Sequence, residues 1–311
     1  MKRVKVILNP YSNRGGAGQG ADALRAALAA ADLAADVILT GKMGDAIEFA
    51  RQAKLDGYDV IAAAGGDGTV NEVVNGIALA TPVGETVGPL AVLPMGSGND
   101  FADMLGLPRD LAAGIQLIQD GRTRQIDLCL ATIHEEGRDM ITRYFDNNMG
   151  AGFEAQVTVE SRKITRLRGF AIYLWAVIRA LRAYDQPQFQ IAWTDETGTV
   201  QQVDQRSLLV TLGNSRRTGG GFYMTPDAKM DDGLLDMGIA RALTTPKILA
   251  LLPQVMAGTH RNHPAMRFVH CTSVCIATQA PVPVHTDGEI VSVAAKALSV
   301  QMQPGRLTVI S

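Results

Sequence analysis

The stretch Gly65, Gly66, Asp67, Gly68, Thr69 constrains this chain more than any other. Ahead of it, residues 58–64 are short and mostly apolar, the pattern of a buried parallel strand. Behind it Val70, Val73, Val74 and Ile77 recur at i, i+3, i+4 and i+7, one face of a helix. Thr69 with Glu72 fits a capping box, which predicts a helix start near Thr69. Glycines here let the backbone turn sharply and approach a ligand closely. A strand-to-helix turn also aims N–H groups and the helix dipole at one point, which suits phosphate. Asp67 is unusual in such a turn: a carboxylate there is unfavourable unless a metal ion or a substrate hydroxyl uses it. The same residues would serve a tight turn with no ligand, and both readings stand at this level.

The first third of the chain repeats that strand-then-helix logic. Residues 4–8 read as a strand, followed by a polar, Gly-rich loop from Asn9 to Gly16. A helical pattern at 21–33, a strand at 36–40, a helix at 46–55 and a strand at 89–93 complete it, with a helix at 110–121. Alternation of this kind means βαβ units and a parallel sheet. Ligands of such sheets bind beyond the carboxyl ends of the strands. Four loops meet that rule: those after Leu8, at Thr40, at residues 65–69, and at residues 94–100. None is a P-loop or a G-x-G-x-x-G dinucleotide fingerprint, and the protein-kinase signature set is missing.

From about residue 125 the pattern changes to strands at 125–130, 189–193, 207–212, 233–240, 266–278 and 281–293. A mostly β second domain follows, with a boundary near 125–135. One helical stretch, 164–184, interrupts it. That stretch carries an apolar stripe and, from Ser161 on, the basic residues Arg162, Lys163, Arg166, Arg168, Arg179 and Arg182 with no acid between them. It reads as a core-facing helix with a solvated basic face, or as a contact with an anionic membrane surface.

At 311 residues with 47% hydrophobic and 19% charged content, the chain has enough for two cored domains. A net charge of −2 argues against a general nucleic-acid binder. No apolar signal region follows Met1, so secretion is not expected, and no run of about 18 apolar residues predicts a spanning helix. Cys129, Cys271 and Cys275 lie in apolar strand-like runs and read as buried free thiols of a reducing cytoplasm. His270 beside Cys271 and Cys275 makes no closed zinc ligand set. His260 and His263, in a loop before Pro264, read as solvated. An exposed strand edge in the β-rich part leaves a homodimer open.

Two further clusters carry chemistry. Residues 219–221, Pro226 and then Asp231, Asp232 and Gly233 form a polar loop whose acidic pair suits a hard cation such as Mg²⁺, or is an ordinary Asp-Gly turn. Asp287 and Glu289 flank Gly288, an arrangement that can orient or deprotonate a hydroxyl, or form a type I′ hairpin turn.

Together these residues resemble the diacylglycerol kinase catalytic family, in particular the soluble bacterial lipid kinases. Residues 65–76 look like its central motif, and residues 94–100 match P-x-G-[S/T]-x-N-D. Residues 219–236 and 287–289 match two later motifs in order, so the resemblance runs from Asn9 to about Val291. A lone GGDGT is shared with NAD kinases and phosphofructokinases; the four-part set is far more specific.

The resemblance implies an N-terminal three-layer α/β nucleotide domain of the NAD kinase-like kind over 1–130. A C-terminal β-sandwich for the lipid would cover 131–295, and a tail, 296–311, would return to the first domain. It implies an active site in the cleft between the domains and an ATP-dependent lipid kinase making phosphatidic acid from diacylglycerol. A NAD kinase-type phosphotransferase and a non-catalytic nucleotide or lipid binder are the alternatives.

Carried over, the nucleotide contacts are Asn9, Pro10, Tyr11, Ser12, Asn13, Thr40, Gly65, Gly66, Asp67, Gly68, Thr69, Val70, Asn71 and Ser97. Ser97 stands where Thr is commoner and keeps the hydroxyl. The Mg²⁺ site falls on the Asp232 carboxylate with backbone oxygens of Lys229 and Leu234. The general base is Glu289, with Asp287 beside it; Asp67 takes that role in the sphingosine-kinase branch. The resemblance further implies a cytoplasmic enzyme in peripheral contact with the inner face of the membrane.

Overall fold

The computed structural model describes residues 2–12, 17–164, 170–219 and 221–311. Its residues fall into two compact units, Met1–Leu128 with Pro304–Ser311, and Cys129–Gln303.

The first unit contains β1 (Val4–Leu8), α1 (Ala17–Ala30), β2 (Ala35–Leu39), α2 (Asp45–Leu55), β3 (Val60–Gly65), α3 (Asp67–Leu79), β4 (Val87–Pro94), α4 (Asp100–Met104) and α5 (Leu111–Asp120). Its strands are parallel in the order β2–β1–β3–β4. Leu307 and Val309, near the end of the chain, add alongside β4 in the same direction. Every residue of β3 is buried, which explains why its sequence runs apolar without alternation. Val4, Val6, Leu8, Val60, Ala62 and Leu93 pack against Leu24 and Leu28 of α1 and Ile115 and Ile118 of α5. The Asp110 side chain accepts the Ala113 N–H at 2.9 Å and so caps α5.

The capping box expected at Thr69 and Glu72 does not form. Helix α3 starts earlier, at Asp67, and has no side-chain cap. Glu72 serves a different helix: its carboxylate accepts the N–H groups of Gly44 (2.9 Å) and Ala46 (3.2 Å), at the start of α2. Thr69 Oγ1 instead accepts from Asn9 Nδ2 at 3.1 Å.

The chain enters the second unit along β5 (Thr123–Glu135), followed by β6 (Ile141–Phe145), β7 (Asn148–Gly152), α6 (Phe153–Arg162), α7 (Phe170–Ala183), β8 (Gln188–Asp195) and β9 (Val200–Gly213). Next come β10 (Leu235–Arg241), α8 (Thr245–Ala257), β11 (Met266–Thr286) and β12 (Glu289–Ile310). Pairing is antiparallel, with β9 between β10 and β7 and with β11 between β7 and β12. Strands β8 and β9 pair over Gln188 to Thr194, and β8 also pairs β11. Met149, Phe189, Trp193, Val210, Leu212, Met237, Cys271 and Val284 belong to the core between these strands.

Several sequence expectations are corrected here. Residues 266–278 and 281–293 are not two separate strands: 266–286 is one long strand, and the chain reverses only at Asp287 and Gly288. Among the described residues three α-helices, not one helical stretch, interrupt the β-unit. Helix α6 is short, and α8 carries a proline, Pro253, inside it, which reads as a helix breaker. Cys129 and Cys271 are buried, but Cys275 is exposed, on the outward side of β11. His260 is not solvated: it is fully buried, with its ring against Phe268 at 5.4 Å between centroids, and burial lowers its pKa.

Candidate active site

In the first unit, the loops at the carboxyl ends of the strands meet. The Asn9 N–H donates to the Ala64 carbonyl at 3.0 Å, Thr40 N–H to Leu8, and Met95 N–H to Gly65. A side chain on Gly96 would run into the backbone of Gly66, so the loop after β4 lies against the Gly-rich turn only because both are glycine. Asn9 shapes the loop after β1 by accepting the Tyr11 N–H at 3.0 Å and the Ser12 hydroxyl on its own carbonyl at 2.8 Å. Pro10 lies in that turn, Tyr11 and Ser97 are exposed, and Thr40 is buried. Asn13 lies outside the described residues. The remaining nucleotide candidates, 65–71, form the turn and the first residues of α3. The N-terminus of that helix, without a side-chain cap, suits an anion.

Asp67 has a use that sequence did not reveal. Its carboxylate accepts the N–H groups of Asp100 (3.1 Å) and Phe101 (3.0 Å), the first residues of α4. It ties the Gly-rich turn to the loop after β4, which resolves the apparent penalty of an acid in this place without needing a metal.

In the second unit, Asp287 and Gly288 form the turn between β11 and β12, with Thr286 paired to Glu289. Both have positive φ, 48° and 78°, as a type I′ turn requires. The expected turn is therefore present, and its formation does not exclude the chemical reading. The Asp287 carboxylate accepts three backbone N–H groups, from Asp146 (3.1 Å), Asn147 (3.0 Å) and Asn148 (2.7 Å). Glu289 instead faces a side chain, Arg162 at the end of α6, at 2.6 Å.

Beside this turn lies a cavity of ≈ 220 Å³. Its walls are mostly apolar: Phe153, Val157, Val177, Leu209, Met224 and Leu251 from α6, α7, β9, α8 and the loop before β10. Its polar wall includes Glu154, Arg162, Thr218, His285 and Gly288. Such a pocket fits an acyl chain ending in a polar head.

The loop before β10 holds the cation candidates. Asp232 Oδ1 accepts the Leu234 N–H at 3.1 Å, which bends the chain there. Burial pushes the Asp236 carboxyl up to about 6; His270 opposes this, while Asp232 and Asp227 add to it. Among the described residues no three His, Cys, Asp or Glu side chains gather as a metal cluster. A cation bound here would rest on one carboxylate and backbone oxygens of Lys229 and Leu234, an all-oxygen set that fits Mg²⁺.

Comparison with known proteins agrees with this arrangement. Residues 3–131 match the diacylglycerol kinase catalytic domain, and residues 147–311 match the YegS C-terminal NAD kinase beta sandwich-like domain. A curated diacylglycerol kinase of Staphylococcus epidermidis is 32% identical over 292 residues, covering 93% of this chain and 86% of the relative. The chain belongs to the diacylglycerol kinase family. The fold agrees. The crystal structure of a diacylglycerol kinase from Bacillus anthracis str. Sterne superposes with a TM-score of 0.71 at 24% identity, covering 99% of this chain and 96% of that one. Yeast NADH kinase in complex with NADH superposes at 0.55 and 11% identity, covering 100% and 83%. The kinase thus has an α/β unit followed by a β-sandwich-like unit.

The kinase also holds site residues that motif reading missed. Asn148 is the main one: its Nδ2 donates to Thr211 Oγ1 at 2.9 Å, and its Oδ1 accepts from Thr218 at 3.0 Å. Thr218 is in the cavity wall, so a partly buried chain of hydrogen bonds joins that wall to Asp287. The signal was present as three polar residues, Asp146, Asn147 and Asn148, between two apolar strands. Arg162 and Glu154 gave no signal beyond helix-surface charge.

The basic stretch is less available than its sequence suggests. Lys163 and Arg179 both bind Glu160, each at 2.6 Å, and Arg162 binds Glu289. Arg166 and Arg168 lie outside the described residues. No helix among the described residues is long and apolar enough to cross a membrane.

Proposed function

We propose that this kinase transfers the γ-phosphoryl group of ATP to a lipid hydroxyl, with diacylglycerol giving phosphatidic acid as the first reaction to test. The observation that carries this reading is the apolar cavity whose polar wall includes Arg162 and Gly288, the two neighbours of Glu289. A dinucleotide acceptor, as in a NAD kinase, would have no use for a pocket of that apolar lining.

In this reading the residues divide the work as follows. The Gly-rich turn and the N-terminus of α3 hold the phosphates of ATP. Asp67 fixes the loop after β4, where Ser97 is exposed, and so shapes the nucleotide site; the base role of the sphingosine-kinase branch is not needed for it here. The cavity takes an acyl chain. Glu289, with a side-chain partner that substrate can displace, accepts the hydroxyl proton as the new O–P bond forms and the bond from the γ-phosphorus to ADP breaks. Asp287, whose carboxylate accepts three N–H bonds, holds the turn that presents Glu289. Mg²⁺ bound at Asp232, Lys229 and Leu234 would brace the loop before β10, and Mg²⁺ with ATP would neutralise charge on the phosphates.

The membrane's inner face, on the cytoplasmic side, is where such an enzyme meets both ATP and lipid. Leu174 and Trp175, exposed on α7, support peripheral contact there. The test is phosphate transfer from γ-labelled ATP to mixed micelles containing diacylglycerol, with Mg²⁺ present or chelated. A labelled lipid that disappears on chelation supports the reading. Label on NAD, or on nothing, removes it.

A further inference from the structure

The hydroxyls in the cavity wall already have acceptors: Thr158 donates to the Glu154 carbonyl, Ser161 to Thr158, and Thr218 to Asn148. Glu154 and His285 are different. Glu154 Oε1 and His285 Nε2 lie 3.2 Å apart, with the side chains 11% and 2% exposed. Apart from that contact, neither Glu154 oxygen nor His285 Nε2 has a hydrogen-bond partner among the described residues. The Gly288 N–H donates to His285 Nδ1 at 3.3 Å, which places the ring proton on Nε2, facing Glu154. The pair is also built into the fold. A Cβ on Gly150 would come within 2.5 Å of His285 Nε2 and 2.7 Å of Glu154 Oε2, so glycine at 150 makes room for it.

A buried carboxylate with unfilled acceptor sites, in the wall of an apolar pocket, is costly unless a ligand supplies donors. Diacylglycerol has one hydroxyl, and transfer commits that group to Glu289. We propose that Glu154, seated by His285, is a specificity-determining residue that accepts a hydrogen bond from a second donor on the lipid head, a hydroxyl or an amine close to the reacting hydroxyl. The inference rests on the lipid-binding reading of the cavity. It adds that a lipid carrying such a second donor is taken in preference to diacylglycerol, which is accepted through its one hydroxyl alone.

The experiment compares probes of similar chain length by calorimetry: 1-octanoylglycerol with two hydroxyls, a decyl 2-amino alcohol with an amine and a hydroxyl, and 2-hydroxyethyl octanoate with one hydroxyl. Wild type should bind one of the two-donor probes about 10-fold tighter than the one-donor probe; which one shows whether the donor is hydroxyl or amine. Glu154→Leu should bring that ratio to within about 2-fold, and Glu154→Gln, which keeps an acceptor, should leave an intermediate ratio and serves if the leucine variant does not fold. Equal wild-type binding of all three probes, or a preference that survives in either folded variant undiminished, overturns the proposal. Preference without phosphate transfer to any lipid would support the subsite and remove the kinase reading of the cavity.

Discussion

The Glu289 carboxylate lies 2.6 Å from the Arg162 guanidinium, and Arg162 also donates to the Gly288 carbonyl at 3.1 Å. One arginine from α6 therefore clamps both the Glu289 carboxylate and the turn that carries it. Arg162→Ala should loosen that turn, lowering kcat by more than it raises the KM for ATP. Steady-state kinetics check this; no change in either constant, or a change in ATP KM alone, would remove the clamp.

Asp67 is predicted to be structural before it is chemical. Asp67→Ala leaves the N–H groups of Asp100 and Phe101 without their acceptor. The cost should be about 1–3 kcal/mol of stability with weaker ATP binding. Asp67→Asn keeps one of the two acceptor oxygens and turns an amide N–H toward the other donor, so it should recover only part of the stability. Denaturant unfolding of both variants decides; identical losses would count against this role.

Glu72→Ala should destabilise the start of α2 rather than α3, because its two acceptor bonds go to Gly44 and Ala46. Hydrogen exchange should speed up at those N–H groups first. Faster exchange confined to α3 would restore the capping-box reading.

Much of this was legible in the sequence, for physical reasons. A fully buried β3 has to read as an apolar run, and a turn that admits a second loop against Gly66 has to be glycine. What was hidden lies in contacts between residues far apart in the chain. Glu72 looks like a local cap and reaches back 28 residues to Gly44. Six basic residues look like one solvated face, yet the buried Glu160, just outside the stretch counted, neutralises two of them. His260 sits in a loop and is buried by Phe268, which arrives from a strand.

Glu160 gives a pH prediction. Its hydrogen bond from Lys163, opposed by burial and reinforced by Arg179, holds its carboxyl below the ordinary glutamate range. A folded pKa below the unfolded one contributes stability that is present above the unfolded value and is lost as pH falls through the folded value. Urea unfolding between pH 7 and pH 3 should show a loss below about pH 4.3, the ordinary glutamate value, that is smaller in Glu160→Gln. Parallel curves would contradict it.

Mg²⁺ should raise the unfolding temperature of wild type and not of Asp232→Asn. At a hundredfold excess over its dissociation constant the gain would be about 2.7 kcal/mol. No shift in wild type would remove the cation from the loop before β10.

The central claim is that Glu289 takes the proton from a lipid hydroxyl. The most direct measurement is lipid phosphorylation by Glu289→Gln, with ATP binding measured on the same preparation. Turnover should fall by roughly 10²-fold or more, the range of a lost general base, while ATP binding is kept. Turnover equal to wild type would contradict the account.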